Sequence, residues 1–104
     1  MSAPGSGSAS ERVAVVAQLK KGSAEGAREL IEVGPPFDPQ TMGFDRHSVY
    51  LSQNDVVFVF EGENAARKLA SVVDNMVVSA SFSSWAPLLE GTPQLAHELY
   101  HWSR

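Results

Sequence analysis

Three histidines and the acidic residues near them are the side chains here best suited to acid–base or metal chemistry. His97-Glu98-Leu99-Tyr100-His101 fits the pattern H-E-x-x-H. On a helix that spacing puts two imidazoles on one face, where they can share a zinc ion while the glutamate activates water. On a strand the two histidines lie four residues apart, roughly 13 Å, too far for one ion. Trp102, Ser103 and Arg104 follow, so a third ligand would have to come from upstream, from His47 or Asp45. A zinc hydrolase through His97, Glu98 and His101 is therefore the weakest functional reading. The segment is expected to hold two surface or sheet-edge histidines, with no metal.

His47 is the stronger candidate. It stands beside Asp45 and Arg46, just after a proline-rich loop that can roof a cavity. A histidine placed there can act as general acid or base, or hydrogen-bond a bound group. The competing expectation is a structural imidazole bonded to a backbone carbonyl or a carboxylate. Glu61 can pair with Arg46 or His47, or can be a solvated strand end. Asp38, inside P-F-D-P, reads better as a turn-forming residue than as an acid catalyst. Phe37, Tyr50, Phe58, Phe60, Phe82, Trp85, Tyr100 and Trp102 can line an apolar ligand site, and equally can be core or interface. Of these, Phe37, Tyr50, Phe58, Phe60, Trp85 and Tyr100 are the candidate ligand-binding set. The sequence has no glycine-rich phosphate loop, nucleophile elbow or nucleotide fingerprint, so no cofactor is expected.

The bulk properties set the frame for these side chains. A chain of 104 residues, 43% apolar and 19% charged, suits one globular domain. A net charge of -4 argues against nucleic acid or an anionic membrane as partner. There is no cysteine, hence no disulfide framework and no thiol nucleophile. No apolar run reaches the roughly 18 residues of a membrane span, and the opening residues lack the pattern of a signal peptide. The expectation is a cytoplasmic protein with a disordered tail over residues 1–10 and one domain over 11–104.

The periodicities give the elements that must position the candidates. Residues 12–20 are rich in β-branched side chains and read as a strand. Ser23 is a plausible helix cap, and Ala27, Leu30 and Ile31 form one apolar stripe until Gly34 and Pro35 stop the helix. Residues 47–51 and 56–61 read as a hairpin around the polar turn 52–55. In the first of these strands His47, Val49 and Leu51 share a face, and a central position is expected for it. The second is apolar on both faces, Val56, Phe58 and Phe60 against Val57 and Val59, and should lie centrally with both faces covered. Helices from one small domain cover one face, so a second copy of the chain is expected on the other. Ala65, Leu69, Val72, Val73 and Met76 mark a second helix with Asn64 as cap. Residues 74–86 favour helix over strand. Residues 94–102 favour a final strand, although Thr92, Pro93 and a Leu95, Leu99, Trp102 stripe also suit a helix.

Several stretches carry a family resemblance: G-P-P-F-D-P at 34–39, G-F-D-R-H-S-V-Y-L at 43–51, V-V-F-V-F-E-G at 56–62 and W-A-P-L-L-E-G-T-P at 85–93. With the terminal Tyr100-His101-Trp102, they make the chain resemble a small bacterial family of the dimeric α+β barrel superfamily. That group includes antibiotic-biosynthesis-monooxygenase-like and EthD-like proteins. The resemblance implies an α+β fold, a ferredoxin-like β-α-β-β-α-β protomer whose sheet packs on its partner's in a homodimer. No spacing matches the catalytic residues of the oxygenase branch.

Two functional classes follow. One is a small dimeric protein that binds a hydrophobic or aromatic molecule. The other is a cofactor-independent enzyme, monooxygenase- or isomerase-like, with His47 as acid or base. An apolar cavity with one polar group favours the first; a His47 bonded to a carboxylate and facing a cavity favours the second.

Overall fold

Alternation in the first strand sorts its side chains onto two faces, and the whole fold follows from that sorting. The computed structural model describes residues 10–34, 40–76 and 83–104. Strand β1 runs Ser10–Gln18, two residues earlier than its composition predicts, and Leu19 adds an isolated bridge to Leu89. Val13, Val15 and Ala17 are buried, whereas Ala14 and Val16 between them are half-buried. Helix α1 follows at Ala24–Val33. Ser23 begins it without a side-chain cap, contributing instead its carbonyl to the Ala27 N–H at 2.9 Å. Gly34 ends it at φ 109°, a conformation closed to most side chains, and its N–H returns to the Ile31 carbonyl at 3.0 Å.

Strands β2, Arg46–Leu51, and β3, Asp55–Glu63, form the expected hairpin. Its turn is closed by the Ser52 N–H to the Asp55 carbonyl at 2.8 Å, with the Ser52 hydroxyl accepting the Asp55 N–H at 2.9 Å. Helix α2 spans Ala65–Met76, and β4 spans Gln94–His97. The sheet order is β2-β3-β1-β4, with every neighbouring pair antiparallel. Each helix carries the chain back so that β1 matches β2, and β3 matches β4, with one strand's width between them. The hairpin and β1 fill those gaps. The result is a β-α-β-β-α-β α+β domain, consistent with a ferredoxin-like fold.

Both helices cover one face. Towards α1, Ala17, Leu19 and Val56 pack with Ala27, Trp85 and Leu89. Towards α2, Val13, Val15, Phe44 and Phe60 pack with Ala65 and Leu69. Phe58 touches both groups and meets Trp85 edge-on at 5.3 Å. β3 is central, as its apolar faces predict, but within one chain the helices cover only the Val56, Phe58 and Phe60 side. Val57 and Val59 face the other way and are half-buried, with Ala14, Val16, Ser48 and Ala96 beside them.

Three expectations need correction. β2 is an edge strand, so His47 does not sit centrally; the βαβ return places β3, not β2, next to β1. The final strand stops at His97 rather than running to 102: its ladder with β1 covers only Val13–Val16, although β1 itself continues back to Ser10. The expected helix over 74–86 is not formed in its last residues: α2 ends at Met76, and Pro87 sits in a single 3-10 turn at Ala86–Leu88. Residues 77–82 of that expectation lie outside the described residues. Among the described residues no helix is long and apolar enough to cross a membrane.

Candidate functional site

Strand pairing puts His47 opposite Phe60 in the ladder, on the face that carries the helices. Opposed side chains in an antiparallel pair stand about 5 Å apart, close enough for rings to meet. Here they stack: the ring centroids are 4.3 Å apart, with the planes inclined by 23°. Phe60 also contacts Phe44 at 4.9 Å, so imidazole and two phenyl rings form a continuous aromatic group at the β2 edge. His47 is half-buried, while Phe44 and Phe60 are buried.

The His47 Nδ1 lies 3.1 Å from the Val59 carbonyl oxygen. A carbonyl only accepts, so Nδ1 carries the proton in this hydrogen bond. In the neutral ring the lone pair is then on Nε2. Burial lowers the His47 pKa below its ordinary 6.5, with the Val59 hydrogen bond opposing that shift. At neutral pH the uncharged ring is the favoured form.

Neighbouring segments hold this group in place. The backbone of 42–45 crosses close above β3, where the Asp45 N–H donates to the Glu61 carbonyl at 2.7 Å. That approach requires Gly62: a Cβ there would stand 3.0 Å from the Gly43 oxygen and 3.2 Å from the Phe44 Cα. Lys68, on α2, donates to the Gly43 carbonyl at 3.0 Å and has its ammonium 5.7 Å above the Phe44 ring. Phe44, Gly62 and Lys68 were not singled out in the sequence. The signal for Gly62 was available, since a glycine inside an apolar strand marks a close backbone approach. For Phe44 the spacing gave none.

The other candidates separate. Phe58 and Trp85 lie on the same sheet face as His47, both tied into the core. Tyr50 is 63% exposed and on the opposite face, so the sheet parts it from Phe58, Phe60 and Trp85. Tyr100 lies beyond β4 and is exposed. Phe37, Asp38 and Phe82 fall outside the described residues. Glu61 pairs with Arg12 at 3.8 Å; its side chain points to the helix-free face, away from His47, with Arg46 opposite it in the ladder. Arg12 also reaches Glu98 at 3.6 Å. Residues 98–101 form no helix, so His97 and His101 lack the helical spacing that the H-E-x-x-H chemistry needs. His101 instead approaches Glu98 at 3.9 Å.

Compared with known proteins, the chain matches no family model and no curated protein. What stands is a small α+β domain with a four-stranded antiparallel sheet.

Proposed function

We propose that this chain is a ligand-binding module: a homodimeric α+β barrel that holds a small apolar or aromatic molecule against the His47–Phe60 edge. The observation that carries this reading is the His47–Phe60 stack at 4.3 Å, in which an uncharged imidazole shares an aromatic wall with Phe60 and Phe44. Phe44 and Phe60 are themselves buried, so a planar ligand would meet the outer face of the half-buried His47 ring, an apolar surface with a polar edge.

The dimer is supported by the helix-free face. Ala14, Val16, Val57, Val59 and Ala96 form an apolar strip that the helices of one chain leave uncovered. A second copy of the sheet would bury it, in an interface of roughly 1,200–2,000 Å² in total. The resemblance to the dimeric α+β barrel superfamily points the same way.

A second reading, a cofactor-independent oxygenase- or isomerase-like enzyme with His47 as base, draws on the same lowered basicity. The His47 hydrogen bond to a main-chain carbonyl, where a catalytic dyad would place a carboxylate, favours binding over catalysis.

The test uses 2-naphthol, a small planar aromatic with one hydroxyl to donate, titrated calorimetrically into the full chain. Saturable binding to wild type, weakened about tenfold or more in His47→Gln with the variant still folded at the titration temperature and the dimer retained, is the expected result. No binding to wild type, or equal binding to both, would overturn the proposal.

A further inference from the structure

Beyond β4 the chain carries Leu99, Tyr100 and Trp102 into solvent at 96%, 81% and 69% exposure. Single exposed apolar side chains are ordinary, but three large ones within four residues mark a contact surface. We propose that residues 99–102 are an exchanged arm: in the homodimer, each protomer's arm lies across the helix-free sheet face of its partner, with Tyr100 and Trp102 against Ala14, Val16, Val57 and Val59. This inference rests on the dimeric reading above and adds residues that the partner supplies.

Strand parity aims the arm. Ala96 and Glu98 share the helix-free side, Glu98 being held at 3.6 Å by Arg12, which also pairs with Glu61 on that side. An extended continuation therefore turns Tyr100 and Trp102 to the same side. Area argues for a second copy as the occupant. Four strands at ~4.8 Å spacing, four to nine residues long, present a footprint of only about 400–500 Å². A stable interface needs about 800 Å² from each partner, and Tyr100 and Trp102, turned to the helix-free side, supply area that the flat sheet lacks. Residues 98–102, extended, cover about 16 Å, enough to reach across about three strands at ~4.8 Å spacing.

The experiment follows dimerisation by light scattering and, on the same dilution series, Trp102 emission taken as the difference between the full chain and its Trp102→Phe variant. That difference removes the contribution of buried Trp85 without altering the core. The expected result is a dimer whose Trp102 emission is blue-shifted, turning solvent-like as the dimer dissociates. A chain lacking residues 99–104 should fold with an unchanged melting profile at low concentration and dimerise at least about tenfold more weakly. A dimer with solvent-like Trp102 emission would overturn the arm and leave the dimer standing. A chain that is monomeric throughout would overturn both. Trp102 emission that stays blue-shifted in the monomer would show the arm folded on its own sheet and would also overturn the exchange.

Discussion

The ring of His47 stacks on that of Phe60 with centroids 4.3 Å apart, and the same imidazole donates from Nδ1 to the Val59 carbonyl. One side chain thus ties the edge strand β2 to the central strand β3 through both an aromatic contact and a hydrogen bond. His47→Ala removes both. It should lower stability by about 1–3 kcal/mol, the usual cost of leaving a buried partner unsatisfied. Chemical denaturation of wild type and variant checks this, and His47→Gln should recover part of the loss.

The pH dependence follows from the direction of the His47 shift. Its folded pKa lies below the ordinary 6.5, so the unfolded chain binds this proton more readily than the folded one. The contribution of neutral His47 is fully present above pH 6.5 and is lost as the pH falls through the folded value. Wild type should therefore lose melting temperature relative to His47→Gln between pH 7.5 and pH 5.5, with the difference constant at higher pH. Paired thermal melts across that range measure it.

Helix α2 is capped from a distance. The Glu11 carboxylate, on β1, accepts the Ala66 N–H at 3.1 Å, while Asn64, the cap that sequence suggests, adopts a left-handed φ of 57°. A carboxylate at a helix start satisfies an orphan donor and suits the dipole. Glu11→Ala should cost about 0.5–2 kcal/mol, whereas Asn64→Gly, which favours the positive φ, should cost little. Equilibrium unfolding of the two variants separates the roles.

Gly62 is required by the backbone that crosses above it. Gly62→Val would drive side-chain atoms into the Gly43 oxygen and the Phe44 Cα, displacing Phe44 from Phe60. The expected loss is about 1–3 kcal/mol, with changed aromatic ring-current shifts at Phe44 and Phe60. A Gly62→Ala variant should show the same shifts in smaller measure.

Much of the fold was legible because period-2 and period-3.6 patterns are local. Val13, Val15 and Ala17 against Ala14 and Val16 gave β1, and Ala27, Leu30 and Ile31 gave α1, without knowledge of any partner. Pairing is not local, and there the reading failed: nothing in residues 46–51 says that β2 is an edge, since that follows from which strand fills the gap beside β1. The end of β4 was illegible for the same reason, because the alternation of residues 94–102 continues past the point where pairing stops. His47 was legible as a candidate by its position after the proline loop. Its contact with Phe60 depends on hairpin register, which the polar turn fixes, so that relationship was derivable. The contributions of Phe44, Lys68 and Glu11 were not, since each acts across a long sequence separation.

The most direct measurement is nuclear magnetic resonance of the imidazole nitrogens of His47, His97 and His101 during titration with 2-naphthol. The three rings report separately on the aromatic wall at β2 and on the exposed end of the chain. Occupation of the proposed site predicts a saturable shift at His47 Nε2, with Nδ1 remaining protonated and with His97 and His101 unmoved. A His47 signal that stays constant to saturating probe, or a response confined to His97 and His101, would contradict a binding site at the His47–Phe60 edge.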